Sequence, residues 1–387
     1  MKHTLSYPSS YGQINNNNNN SITSYNNYNN NNYSYNNYSY NNYSYNNDNK
    51  YYEASIRTKG VIGLKNINGS LCFMNSSLQC LAHIKPLYEK IKAQSQLKSL
   101  GLTFFEFLVK MNSDSEEQVY APNDILDAIS SYYVEYNERR QQGANEFLSN
   151  FLKAFHKELN NQAYPSKKFN MPTIEPLKHK FEKKYEFYNK NRSFIIDLFY
   201  GNMLYLTKCK ECNNIISSLY SIFNILELSI YQLKKERTIS LKELIKSYSY
   251  PQEINDTIFC NKCQNNVKAY SKVEIANYPK ILIIYINKVI DHQYYDNKIN
   301  FPSELYLPDD NSKENSKNEK CYDLIGLIEH FGSESVGHYI SKCKNYIDGN
   351  WYRFNDSIVD KTTIPEKSDK TTDSSSVIIL FYQSRDK

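Results

Sequence analysis

The chain has 387 residues, of which 40% are hydrophobic, so it is long enough for one large domain or two ordinary domains with an apolar core. Its 46 basic and 41 acidic residues give a net charge of +5, which is too small and too dispersed to favour a nucleic acid or an anionic membrane as a partner. The most apolar stretches, Ile281–Ile286 and Val377–Tyr382, are far shorter than the roughly 18 residues that span a bilayer, and we predict that they are buried strands.

The first 55 residues form a segment of distinct composition. Six consecutive Asn residues occupy positions 15–20, and a Tyr-Ser-Tyr-Asn-Asn repeat runs over positions 33–47. Because this segment has almost no aliphatic side chains to bury, it cannot offset its ordering entropy, and we predict a disordered low-complexity tail over residues 1–55. The start of the chain also lacks the apolar run of a secretory signal, which predicts an intracellular protein of the cytoplasm, the nucleus or both.

Residues 56–385 have a globular composition and are predicted to form one catalytic domain with three parts. The first part, to about residue 160, is helical, because Met74, Leu78 and Leu81 recur at intervals of three and four residues. The same spacing recurs at Phe147 and Phe151. A cysteine-bearing part follows at about 195–275, and a strand-rich part completes the domain.

The C-terminal part contains short runs of β-branched and aromatic residues, which predict a largely antiparallel sheet. These runs are Lys280–Ile286, Tyr322–Ile328, Tyr339–Cys343 and Val377–Tyr382. Two polar runs, Asp309–Lys320 and Lys367–Ser376, contain no apolar anchor and are predicted to loop out between the strands. The predicted fold class is therefore α+β.

Cys72 stands where a reactive thiol is favoured. It follows the turn-forming stretch Asn66–Ser70 and begins a predicted helix. At a helix N-terminus, the macrodipole and the free backbone N–H groups lower the pKa of a thiol and can hold an oxyanion. The alternative is a buried structural cysteine, which is what we predict for Cys80, eight residues later among apolar neighbours.

A histidine and an amide–carboxylate pair complete a candidate catalytic set. His338 follows Gly337 at the start of a predicted strand, where the glycine leaves room for another chain. His330 competes with His338 for the role of base. Further along, Asn355 and Asp356 follow an aromatic strand, in a position suited to orienting an imidazole.

Four further cysteines have the spacing of a metal site. Cys209 and Cys212 form one Cys-x-x-Cys pair, and Cys260 and Cys263 form a second pair after 47 intervening residues. Four thiolates predict one structural Zn²⁺ ion with no open coordination position. The alternatives are two disulfides or a redox pair. Both are disfavoured, because the chain shows no secretory signal and the flanking sequence does not resemble that of thioredoxin.

Together these residues resemble the ubiquitin-specific protease family over about Gly63 to Gln383. Six segments carry the likeness, among them the family's cysteine box, its Gln-Gln-Asp-Ala-x-Glu-Phe-Leu helix start and its histidine box. They are Gly63–Asn66, Cys72–Leu81, Gln141–Leu148, Gly337–Tyr339, Trp351–Asp356 and Ile379–Gln383.

The resemblance implies a papain-like fold with thumb, palm and zinc-bearing fingers, and hydrolysis of the isopeptide or peptide bond after the C-terminal glycine of ubiquitin. It implies that Cys72 attacks the carbonyl, that His338 removes the thiol proton, and that Asn355 is the third member, assisted by Asp356. Ubiquitin or ubiquitinated proteins are the implied partners of a chain expected to be monomeric. The residues that the resemblance implies in substrate binding are Gln142, Glu146, Gly337 and Tyr339.

The sequence departs from the family pattern in two places. The family has five residues from its box asparagine to the nucleophile, whereas Asn66 lies six residues before Cys72, so either Asn66 or Asn68 supplies the oxyanion donor. Loss of such a donor costs about 10²–10³ in rate. Gly143 also replaces the acidic residue of the Gln-Gln-Asp motif, which removes one carboxylate expected to face the basic ubiquitin tail.

Two other functions are alternatives to that of an enzyme. The longer loop and Gly143 are compatible with an inactive ubiquitin-binding module of the same fold. A nucleic-acid-binding zinc ribbon is disfavoured, because the residues flanking the four cysteines lack clustered basic and aromatic side chains.

Overall fold

The computed structural model describes residues 58–114, 117–161, 163–165, 182, 185–308, 319–332, 337–364 and 371–385. The predicted tail at residues 1–55 lies outside the described residues, so its disorder stays a prediction. Within the described ranges, no helix has both the length and the apolarity needed to cross a membrane.

Helices dominate the first half of the described chain, as the apolar spacing predicts. A short strand, β1 (Gly63–Leu64), pairs in parallel with β2 (Val119–Tyr120) and brackets the first helices. The helices are α1 (Cys72–Ala82), α2 (Lys85–Lys92), α3 (Ser99–Asn112), α4 (Asn123–Ser130), α5 (Ala144–Leu159) and α6 (Phe194–Phe199).

Helix α1 is buried on every side, and all eleven of its residues are buried. Its polar side chains therefore need internal partners. Ser77 Oγ donates to the Phe73 carbonyl at 2.7 Å, and Gln79 Nε2 donates to the Ile62 carbonyl at 2.7 Å. These hydrogen bonds help a partly polar helix to occupy the middle of the core and to carry Cys72 at its first position.

The second half of the described chain is built mainly of strands. The strands and one helix up to residue 290 are β3 (Gly201–Cys209), β4 (Ile215–Phe223), β5 (Leu226–Ser229), β6 (Thr238–Ser240), α7 (Leu241–Tyr248), β7 (Gln252–Cys260), β8 (Asn265–Asn277), β9 (Ile281–Asn287) and β10 (Val289–Ile290). The later strands are β11 (Gln293–Tyr294), β12 (Lys298–Pro302), β13 (Glu304–Pro308), β14 (Glu319–Gly332), β15 (Gly337–Lys344), β16 (Trp351–Asn355), β17 (Ile358–Thr362), β18 (Thr371–Ser374) and β19 (Val377–Ser384).

The central sheet has the strand order β17-β16-β15-β14-β19-β9-β5, and β13 pairs with β14 beside this path. All of its pairs are antiparallel except β5 with β9, which confirms the predicted, largely antiparallel sheet. Alternate residues of its middle strands enter different cores. Ile281 and Ile283 face the helices, whereas Leu282 and Ile284 face the core on the other side. Because both faces are covered, these strands read as uninterrupted apolar runs.

A separate four-stranded sheet has the order β4-β3-β8-β7. Strand β3 ends at Cys209 and strand β7 ends at Cys260, so each strand leads into one of the two cysteine pairs. Its strands are long, and much of their surface is exposed, with Leu219 at 57% and Phe259 at 50% exposure.

The prediction that both polar runs loop out is wrong in part. Residues 309–318 and 365–370 lie outside the described residues, but Glu319 and Lys320 already belong to β14. Thr371–Ser374 form β18, which pairs antiparallel with β12. A polar strand is stable there because it lies at the edge of a small sheet, where backbone pairing does not require an apolar side chain.

Gly63 offers a test of how β1 is fixed. A Cβ atom at Gly63 would lie 2.4 Å from the Ser357 carbonyl oxygen, so alanine would push β1 away from the turn at 356–357. We expect Gly63→Ala to lower the free energy of unfolding by about 1–3 kcal/mol, measured by urea denaturation. In the control Gly326→Ala, the new Cβ would lie 3.5 Å from the Cys80 sulfur, an ordinary contact. A loss at Gly63 no larger than at Gly326 would contradict the close approach.

Candidate active site

Cys72 is the first residue of α1 and is only 1% exposed. The chain reaches it through a tight turn in which Asn68 and Gly69 both have positive φ, at 63° and 70°. Asn66 closes this turn, because its Oδ1 accepts a hydrogen bond of 2.8 Å from the Leu71 backbone N–H. The left-handed turn takes up the one additional residue, so Cys72 still begins the helix.

His338 lies beside Cys72 and carries a hydrogen bond to Asn355. Its Nε2 is 2.6 Å from Asn355 Oδ1. Because an amide oxygen only accepts hydrogen bonds, Nε2 carries a proton, and Nδ1 is the ring nitrogen left for the hydrogen bond with Cys72. The hydrogen bond with Cys72 raises the pKa of His338 to about 9, and Asn355 contributes in the same direction against the effect of burial. The structure therefore brings together the predicted thiol, imidazole and amide.

Asp356 is held by amides on both sides of the nucleophile. Its Oδ2 accepts from Asn66 Nδ2 at 2.9 Å, and its Oδ1 accepts from Asn75 Nδ2 at 2.8 Å. The same carboxylate lies 3.9 Å from His338 Nε2. One carboxylate thus joins the loop before Cys72, the helix after it and the histidine strand.

Sequence reasoning missed Asn75. The available signal was its position three residues after Cys72, on the same face of the helix, as a polar residue in an otherwise buried segment.

The two candidate oxyanion donors differ in their contacts and in their exposure. Asn66 is tied to Asp356, whereas Asn68 is an exposed residue within the turn.

His330, the competing candidate for the base, packs against Gly337 and Tyr339. Its ring lies against Tyr339, with ring centroids 4.5 Å apart, and it lies directly beneath Gly337. A Cβ atom at Gly337 would come within 2.0 Å of His330 Nε2, so glycine is required there. Burial lowers the pKa of His330, and the positive charge of His338 adds to this effect.

A cleft of about 480 Å³ adjoins the candidate catalytic residues. Gln142, Gly337 and Tyr339 line it, as does the hairpin formed by β10 and β11, whereas Glu146 is exposed and is not among its lining residues. Tyr339 connects the cleft to the nucleophile. Its pKa is raised to about 12, chiefly by burial and further by the nearby Cys72.

The four predicted metal-ligating cysteines come together at the tip of the separate sheet. Their sulfur atoms all lie within 4.8 Å of one another. Two of the distances are 3.8 Å, between Cys209 and Cys263, and 3.7 Å, between Cys212 and Cys260. Tetrahedral zinc with bonds of about 2.3 Å to sulfur places its ligands about 3.8 Å apart, so the set fits such an ion.

The backbone supports the same interpretation. Each Cys-x-x-Cys turn is followed by a residue of positive φ, which is Asn213 at 57° after the first pair and Gln264 at 55° after the second. The Cys212 backbone N–H also points at the Cys209 sulfur at 3.4 Å. All eight cysteines are free thiols, which disfavours the two-disulfide alternative. Cys80 is a core residue as predicted, 2% exposed.

The chain has clear relatives. The sequence pattern of the family described as ubiquitin carboxyl-terminal hydrolase matches residues 62–382. The chain is 28% identical over 343 residues to ubiquitin carboxyl-terminal hydrolase Usp2 of Drosophila melanogaster, covering 84% of this chain and 35% of that protein. It is 26% identical over 347 residues to ubiquitin carboxyl-terminal hydrolase 2 of Rattus norvegicus, covering 84% and 54%. The chain thus spans from about a third to about half the length of these relatives.

Solved structures share its fold. A chain of the SAGA Ubp8/Sgf11/Sus1/Sgf73 DUB module bound to ubiquitin aldehyde superposes with a TM-score of 0.65 at 21% identity, covering 86% of this chain and 71% of that one. A chain of a yeast SAGA DUB module superposes with a TM-score of 0.64 at 22% identity, covering 86% and 70%. These likenesses confirm the predicted α+β fold.

The contacts of His338 predict its titration. The raised pKa means that its imidazole stays protonated up to about pH 9, against 6.5 for a free histidine. We expect Cys72→Ala to lower the midpoint most and Asn355→Ala to lower it less, as followed by NMR of the imidazole. The control His292→Gln alters an exposed hairpin residue and should leave the midpoint unchanged. A wild-type midpoint near 6.5 would rule out the contact with Cys72.

Proposed function

The chain belongs to the ubiquitin carboxyl-terminal hydrolase family, and from this premise we propose that it is a thiol-dependent deubiquitinase. It hydrolyses isopeptide or peptide bonds after the C-terminal glycine of ubiquitin. The observation that carries the proposal is the ordered contact of Cys72, His338 and Asn355 beside a cleft that can admit an extended chain. Ubiquitinated proteins are its proposed partners, and it acts as an intracellular monomer.

The reaction follows from the arrangement of these three side chains. His338 holds the proton taken from Cys72, and the thiolate attacks the carbonyl carbon of the terminal glycine, which becomes a tetrahedral oxyanion. The imidazolium of His338 then gives its proton to the departing amine, leaving a thioester on Cys72. Water, deprotonated by His338, attacks the thioester, and the glycine carboxylate leaves as the thiol reforms.

Asn66 is the better placed of the two candidate oxyanion donors. Its Nδ2 uses one hydrogen on Asp356, which fixes the amide and leaves the second hydrogen for the substrate. The free backbone N–H groups at the N-terminus of α1 provide further donors next to Cys72. Asp356 therefore acts as a positioning residue for the oxyanion donor as well as a second acidic neighbour for His338.

The cleft supports recognition of an extended tail. Gln142, Gly337 and Tyr339 line it and form the proposed substrate-binding surface. Glu146 lies in the first turn of α5, next to the lining residue Asn145, and supplies a carboxylate for the basic tail. Gly143 is the N-cap of that helix, without a side-chain cap, so this position contributes neither a charge nor a capping bond.

The cysteine cluster is proposed to bind one structural Zn²⁺ through Cys209, Cys212, Cys260 and Cys263. The ion would supply a tetrahedral crosslink between the two turns at the tip of the sheet. Because all four positions are filled by thiolates, no chemical step is assigned to it. Its role is to hold together the turns that follow β3 and β7, at the end of the proposed fingers.

The enzymatic proposal predicts a specific loss. Cys72→Ala should abolish hydrolysis of a fluorogenic ubiquitin substrate, because it removes the thiol that is hydrogen-bonded to His338. Binding of ubiquitin should persist, since the cleft is unchanged. The matched control Cys80→Ala removes a core thiol eight residues away and should retain hydrolysis. A wild-type protein that binds ubiquitin without cleaving it would support the inactive module instead.

The zinc proposal predicts one metal ion per chain. Elemental analysis of the purified protein should find one zinc in the wild type and in the control Cys321→Ser, which lies outside the cluster. Cys260→Ser should lose the zinc and unfold at a lower urea concentration, because metal binding contributes directly to folding. Zinc-free wild type, or full occupancy in Cys260→Ser, would overturn the assignment.

A further inference from the structure

The side chain of Gln141 makes two hydrogen bonds to the backbone of a single residue across the cleft. Its Nε2 donates to the Gly337 carbonyl oxygen at 3.1 Å, and its Oε1 accepts from the Gly337 N–H at 3.4 Å. Paired antiparallel strands exchange hydrogen bonds between two residues in this way. The Gln141 amide therefore stands in the place of a peptide group from a neighbouring strand.

The edge of β15 that faces Gln141 is open at this point. On one side, β14 pairs with β15 along its length, from Gly337 to Cys343. On the other side, β16 pairs only with Ser341–Lys344. Residues 337–340 thus have no partner strand on that side within the described chain. An open edge of this kind can accept an extended peptide by backbone hydrogen bonding.

We propose that Gln141 is a placeholder for the substrate tail, and that it sets the affinity of the enzyme for ubiquitin. The amide of Gln141 occupies the hydrogen-bonding positions on Gly337 that the backbone of the extended tail takes up when it enters the cleft. The tail must displace Gln141 before its last glycine can reach Cys72. This inference rests on the proposed function, because it assigns a role in binding the same substrate.

The surroundings of both residues suit this exchange. Gly337 has no side chain to block the edge, and the His330 ring beneath it requires that it stay a glycine. Gln141 is exposed, so its released amide can be solvated without a partner. The neighbouring Arg139 is fixed, since its carbonyl accepts a hydrogen bond from Ser70 in the nucleophile loop. Gln141 can therefore swing away while the loop that carries it stays in place.

The kinetic test compares three variants of the full chain with a fluorogenic ubiquitin substrate. Gln141→Ala removes the amide, and Gln141→Asn keeps an amide on a side chain one methylene shorter. Both should lower KM by about 3- to 10-fold, because two exposed hydrogen bonds no longer compete with the tail, and should leave kcat unchanged. Gln142→Ala is the matched control from the same loop and should raise KM, since Gln142 is a proposed substrate contact. An unchanged or higher KM in Gln141→Ala would overturn the proposal.

A second measurement does not depend on ubiquitin. Hydrogen exchange of the Gly337 amide, followed by NMR in the free protein, should be faster in Gln141→Ala than in the wild type and unchanged in Gln142→Ala. Equal exchange in the wild type and Gln141→Ala would overturn the placeholder even if KM fell. If the wild type and all variants fail alike to cleave and bind ubiquitin, the proposed function itself is wrong, whatever the exchange rates show.

Discussion

One carboxylate fixes the relative positions of the reacting groups. Asp356 accepts hydrogen bonds from Asn66 on one side of Cys72 and from Asn75 on the other, and it lies close to His338. Its own position depends on β1, because the Leu64 N–H donates to the Asp356 carbonyl at 2.8 Å. The segment around Cys72 and the distant histidine strand therefore meet at the Asp356 side chain, which is only 15% exposed. In this setting the hydrogen bonds are protected from water, so the geometry is kept before substrate arrives.

The burial of α1 keeps Cys72 in a fixed position relative to Asp356 and His338. A helix that is buried throughout cannot slide or rotate without breaking contacts with both the sheet and α5. The loop before it can differ by one residue, because the positive φ angles of Asn68 and Gly69 take up the extra length outside the helix. The additional residue is thus accommodated in an exposed turn, and the position of Cys72 is unaffected.

Local patterns in the sequence predicted much of this arrangement. The helices at Cys72 and Ala144, the apolar strands and the four-cysteine cluster all depend on short-range spacing, which a sequence displays directly. The pairing of β18 with β12 was not predictable, because its side chains are polar and its stability comes from backbone bonds. The amide of Asn75 and the Gln141–Gly337 contact were also missed. Both join residues that are far apart in the chain, at 281 and 196 positions of separation.

The most direct test of the account is covalent capture with ubiquitin that carries an electrophile at its C-terminus. The zinc-loaded protein should form one adduct, and peptide mass spectrometry should locate it on Cys72, although Cys72 is only 1% exposed and the chain has seven other cysteines. The account assigns the reaction to Cys72 because Cys72 is the thiol that is hydrogen-bonded to His338. Absence of an adduct with the folded, zinc-loaded protein, or an adduct on another cysteine, would contradict the account.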